Sequence, residues 1–103
     1  MHARLISFSG AGADRRERAL EMVRGTVIPT LQGYDGFAGY VFLYDEGNSR
    51  AMALIFWNSQ EAAEAAEETL AERRQRMTSE VGITVESTEL YEAPVLELAG
   101  AHA

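Results

Sequence analysis

Two neighbouring stretches, FAGYVFLYD at residues 37–45 and RAMALIFW at residues 50–57, are apolar at nearly every position. Both are rich in the aromatic and branched residues that pack well on a pleated surface. Only EGNS separates them, and its Gly and Asn tolerate the unusual backbone angles of a hairpin loop. The two stretches therefore read as the strands of one antiparallel hairpin. Alternation places Phe37, Gly39, Val41 and Leu43 on one face of the first strand and Ala38, Tyr40, Phe42 and Tyr44 on the other. In the second strand Ala51, Ala53, Ile55 and Trp57 oppose Met52, Leu54 and Phe56. Neither strand has a polar face. An antiparallel sheet wetted on one side alternates apolar with polar residues, so this hairpin demands cover on both sides.

The flanking segments supply one cover. ARLISFS reads as a first strand, broken by Gly10 and Gly12. In the segment that follows, Ala19, Met22, Val23, Val27 and Leu31 recur at helical spacing. Asp14 is the expected N-cap, with Glu17 completing a capping box, and Pro29 is expected to kink or end the helix. After the hairpin, NSQEAAEAAEETLAERRQRMTSEV reads as a second helix, capped by Asn58 or Ser59, with Glu61 able to close a box on Asn58. Glu61, Glu64, Glu67 and Glu68 in its first half precede Arg73, Arg74 and Arg76 in its second, an order that suits the helix dipole, and Gly82 ends it. ITVESTELYEAPVLEL reads as a last strand, with Pro94 at an edge, a bend or its end. The order strand, helix, strand, strand, helix, strand predicts a ferredoxin-like α+β fold, βαββαβ, with a four-stranded antiparallel sheet and both helices on one face. The other face would expose more apolar surface than a soluble monomer normally carries. A second copy, packed sheet to sheet about a two-fold axis, is the simplest cover. The alternative is a monomer that uses this face as a ligand pocket.

With 103 residues, the chain is expected to form a single domain, with a core over about 3–96 and a short tail over 97–103. Its net charge of −7 argues against nucleic acid and anionic membrane surfaces as partners. No apolar run approaches the roughly 20 residues of a membrane span. MHARLISFSG reads as a strand rather than a signal segment, so a cytoplasmic location is expected. The absence of cysteine excludes disulfides, thiol nucleophiles and Cys-ligated metal. His2 and His102 stand near the two ends, and no Ser-His-Asp set is evident. Glu61, Glu64, Glu67, Glu68 and Glu72 spread around a helix and read as a solvated face, with Glu72–Arg76 an ordinary i, i+4 pair. No metal site is expected. Gly10 and Gly12 lack the third glycine and the parallel sheet of a dinucleotide site.

The residues that can carry chemistry are few. Trp57, the only tryptophan, stands where strand meets helix and can be a pocket wall or a core residue. Asn58 could hold an enolate or phenolate oxygen, or simply cap the helix. Tyr34, Tyr40, Tyr44 and Tyr91 could donate to a substrate oxygen or line an aromatic pocket. On an all-apolar strand face, Tyr40 and Tyr44 are expected at the dimer interface. Phe37 and Phe42 are expected in the core.

GYDGFAGYVFLYD and ALIFWNSQEAAEA carry a resemblance. The first is similar to the hairpin opening of the dimeric α/β-barrel superfamily, and the second to its W-x-S-x-E-A strand-to-helix junction. Within that superfamily the chain resembles the antibiotic biosynthesis monooxygenase-like domain over about 3–96. The resemblance implies a homodimer whose sheets form a barrel, with a cavity in each subunit between helices and sheet. It implies a cofactor-independent monooxygenase-like protein acting on an aromatic phenol or polyketide-type small molecule. Trp57 and Asn58 would then be the candidate catalytic residues, and Trp57, Tyr34, Tyr40, Phe42 and Tyr44 the candidate substrate-binding set. No cofactor is expected. A haem-degrading branch is similar in using a strand-1 Asn, the junction Trp and a helix His, of which only Trp57 has a counterpart here. The alternative function is a non-catalytic dimeric barrel that binds a small hydrophobic ligand or serves a structural or stress-related role.

Overall fold

The structure is a computed structural model that describes residues 1–100. Four strands, β1 (His2–Ser9), β2 (Phe37–Asp45), β3 (Arg50–Trp57) and β4 (Thr84–Glu92), form one sheet in the order β2-β3-β1-β4. Every pairing is antiparallel. Helical segments between β1 and β2 and between β3 and β4 pack on one face, giving the expected βαββαβ arrangement. The core between the layers joins Ile6, Ala53, Ile55 and Trp57 of the sheet to Leu31, Ala63, Ala66 and Leu70 of the helices. No helix among the described residues is long and apolar enough to cross a membrane. His102 lies outside the described residues, as does the end of the expected tail, whose described part forms no helix or strand.

The first helical arm departs from expectation at both ends. It begins as a 3-10 turn, Ala13–Arg15, in which the Arg15 N–H donates to the Gly12 carbonyl, and no side chain caps it. Asp14 sits inside that turn instead of at an N-cap, so its box with Glu17 does not form. α1 (Arg16–Met22) then passes through a π-helical stretch, Val23–Val27, into α2 (Ile28–Gln32). Pro29 therefore does not end the helical arm, which continues to Gln32. It lies in the first turn of α2, and the wide π turn before it relieves the clash a proline makes with the carbonyl four residues back.

α3 (Gln60–Val81) is built from good helix formers. Its cap is Ser59, whose Oγ accepts from the Ala62 N–H at 3.1 Å. Asn58 precedes the cap; its N–H donates to the Gly36 carbonyl at 2.8 Å, which carries the strand one step further before the helix starts. Gly82 ends α3 as expected, at φ +83, with its own and the Ile83 N–H returning to the last turn. In the hairpin loop the left-handed residue is Ser49 at φ 52, rather than the expected Gly or Asn. β4 stops at Glu92, before Pro94.

Register settles which apolar face is which. A bulge in β2 sets Phe37 opposite Trp57 and Gly39 opposite Phe56. The extra residue, Ala38, flips Phe37 onto the face of Tyr40, Phe42 and Tyr44, away from the Gly39, Val41 and Leu43 set. That face meets the helices: Phe37, Tyr40 and Phe42 all pack on the core. Tyr40 and Tyr44 are thus not on the uncovered face where a dimer interface was expected. The uncovered face carries Leu43, Met52 and Tyr91, at 42%, 39% and 49% exposure.

Candidate functional site

Between the sheet and the helices lies a cavity of about 90 Å³, several times the roughly 10–15 Å³ that admits one water. It is a cleft partly open to solvent and not a sealed void. Tyr40 and Phe42 of β2, Ile55 of β3 and Ile6 of β1 form its floor. Met22, Val27 and Leu31 of the first helical arm, with Leu70, Arg74 and Met77 of α3, form its other walls. Among the lining residues only Tyr40, Arg74, Thr30 and Thr78 bring polar side chains.

Two of these define its electrostatics. The Tyr40 hydroxyl has no hydrogen-bond partner among the described residues, and burial pushes its pKa far above the ordinary phenol range, against the opposing pull of Arg74. Tyr40 is therefore a neutral O–H donor at physiological pH. Arg74 is buried, and its Nη1 and Nη2 donate to the Glu67 carboxylate at 2.8 and 2.9 Å. Arg4 adds a second cation, with Nε 3.7 Å from Glu67. Glu67 is accordingly not on a solvated face. Desolvation pushes its pKa up, but the Arg74 hydrogen bonds and the charges of Arg74 and Arg4 together hold the carboxyl below its ordinary value. No carboxylate or imidazole lines the cavity. Such a site can stabilise a negative oxygen, but none of its walls can take a proton as a base.

The candidate residues separate on this geometry. Tyr40 and Phe42 line the cavity; Trp57, Asn58, Tyr34 and Tyr44 do not. Trp57 is 1% exposed, sealed in the core edge-on to Tyr34 at 6.3 Å and to Phe37 at 6.0 Å between ring centres. Tyr34 ties the first helical arm to α3 through a 2.6 Å hydroxyl contact with Thr69. Asn58 is exposed at the junction. Tyr44 donates to the Gly12 carbonyl at 2.9 Å, and the Arg16 guanidinium lies over its ring at 5.1 Å. Arg74 was not among the sequence candidates, which placed it with the dipole-facing cations. A signal was there: Ala63, Ala66, Leu70, Arg74 and Val81 repeat at steps of three, four and seven, and all are buried.

No protein-family model matches the sequence. Among solved structures, a candidate antibiotic biosynthesis monooxygenase of Deinococcus radiodurans superposes with a TM-score of 0.72 at 14% identity, covering 96% of this chain and 98% of its own. A monooxygenase from the ActVA-Orf6 gene of Streptomyces coelicolor, solved with the ligand nanaomycin D, gives 0.71 at 15% identity over 95% and 91%. The chain has the fold of the antibiotic biosynthesis monooxygenase-like proteins. SnoaB of Streptomyces nogalater, a cofactor-independent oxygenase, shares this monooxygenase-like fold with a TM-score of 0.65 at 16% identity, over 92% and 94% of the two chains. By sequence, an uncharacterized protein of Mycobacterium tuberculosis is 37% identical over 62 residues, which is 60% of this chain and only 28% of that protein.

Proposed function

We propose that this chain is a cofactor-independent monooxygenase-like protein that acts on an aromatic phenol or polyketide-type molecule bound between sheet and helices. The observation that carries the reading is the apolar cavity with a neutral phenolic donor, Tyr40, and a buried guanidinium, Arg74, on its wall. Oxidation of a phenol ring C–H by one O2 gives a quinone and one water, and an ionised phenol yields its electrons most readily. The protein's part is to bind the ring, favour the anion and exclude bulk water. With no base on the wall, the ligand enters already ionised or loses its proton to solvent. Trp57 serves the cavity from behind, by fixing β3 and the Tyr34 contact. The two neighbours named as an oxygenase and as a nanaomycin D complex support this choice of chemistry.

The missing base also favours the second reading, a barrel that binds a hydrophobic ligand without turnover. Oxygen uptake with a panel of dihydroxynaphthalenes and anthrones separates the two. Consumption above the protein-free rate, abolished by Tyr40→Phe together with Arg74→Gln, supports the enzyme. A protein-free rate with every compound supports the binder. Two copies paired through the uncovered sheet face complete the proposal, supported by the exposed Leu43 and Met52, as does a cytoplasmic location. Sedimentation velocity should show a dimer in the parent protein and a monomer after Leu43→Lys with Met52→Lys.

A further inference from the structure

The charges beside the cavity do not balance. Arg4, Glu67 and Arg74 keep only 12%, 23% and 11% side-chain exposure. Two guanidinium groups thus share one carboxylate in a mostly desolvated place, where an unmatched charge is costly. Arg4 Nε is buried and makes no hydrogen bond. Arg74 gives two of the five guanidinium N–H donors to Glu67, so three remain. Arg74 also lines the cavity together with Tyr40, whose hydroxyl is free to donate.

We propose that the cavity selects ligands bearing an anionic oxygen group, a carboxylate or an ionised acidic phenol, and that Arg74 is the specificity-determining residue that receives it. The inference rests on the reading of the cavity as a ligand site. Glu67 holds the guanidinium in place while leaving it a net positive partner for the ligand. The Tyr40 O–H donates to the same oxygen group, and the apolar walls take the ring. The excess charge of the triad is then neutralised only when the ligand is bound.

Calorimetric titration of the full chain with two matched pairs of probes tests this. One pair is 2-naphthoate and its methyl ester; the other is 1-nitro-2-naphthol, ionised above neutral pH, and its methyl ether. At least one anion should bind about tenfold or more tightly than its neutral partner, and the pair that shows it identifies the group. Arg74→Gln should erase that preference, so that each anion and its neutral partner bind within about threefold of one another. If Arg74→Gln does not fold, Arg74→Met with Glu67→Gln, which leaves no unpaired carboxylate, carries the same expectation. Equal binding of both members of each pair overturns the inference while the cavity remains a ligand site. A preference that survives loss of Arg74 overturns its role. No binding of any of the four overturns both readings.

Discussion

Replacing Gly36 by alanine probes the turn that seats β2 against the start of α3. Gly36 has φ +84, and a Cβ there would lie 2.5 Å from the Ala62 Cβ. The left-handed conformation costs an L-residue roughly 1–2 kcal/mol. Relieving the overlap adds about 1–3 kcal/mol, the usual penalty for extra volume in a packed place. Ala62 cannot retreat freely, because its N–H is held by the Ser59 cap and the next residue, Ala63, is in the core. The sum is a destabilisation of about 2–5 kcal/mol. Gly25 is the control: a Cβ there meets nothing within 4 Å, and its φ is not positive. Gly25→Ala should raise stability by about 0.4–1 kcal/mol. Urea unfolding, followed by Trp57 fluorescence at one fixed protein concentration, measures both. A Gly36→Ala midpoint within error of the parent protein would refute the reasoning, as it would mean the turn relaxes without disturbing α3.

Two further outcomes are expected. Ser59→Ala removes the acceptor for the Ala62 N–H and should cost about 1 kcal/mol in the same assay, against near-neutrality for Asn58→Ala. Glu67 should give the protein an acid-sensitive limb. Its carboxyl is held below the ordinary value of 4.5 in the folded state, so its contribution is fully present above that pH and is lost as pH falls through the lower, folded value. Unfolding midpoints measured from pH 6 to pH 3 should therefore fall more steeply for the parent protein than for Glu67→Gln, which should itself lose about 1–3 kcal/mol at neutral pH by leaving Arg4 and Arg74 without their acceptor.

The candidate site was only half legible in the sequence. Tyr40 and Phe42 were named there, and they do line the cavity. Trp57 drew attention as a lone tryptophan at a junction, yet it is core. Single-sequence reasoning could not choose its face, since both faces of β3 are apolar. Arg74 was passed over because a charged residue among other arginines reads as solvated, and its burial depends on Glu67 two helical turns away and on Arg4 across the layer.

Local patterning, by contrast, carried the architecture. Two continuous apolar runs rich in aromatic and branched residues, joined by a short glycine-containing loop, read as a hairpin, and helical spacing on either side of it supplies the helices for one face of the sheet. These are properties of neighbouring residues, so the chain alone determined the element order, the end of α3 at Gly82 and the existence of an uncovered apolar face. Tertiary structure decided what depends on register and on distant contacts. The bulge at Ala38 turned Phe37 inward, the π turn carried the helix past Pro29, and packing of β1 against α3 gathered Arg4, Glu67 and Arg74 beside Tyr40. A one-residue slip in pairing exchanges the faces of a strand, and a buried charge is tolerable only where its partners converge; neither condition is written in any single stretch of the sequence.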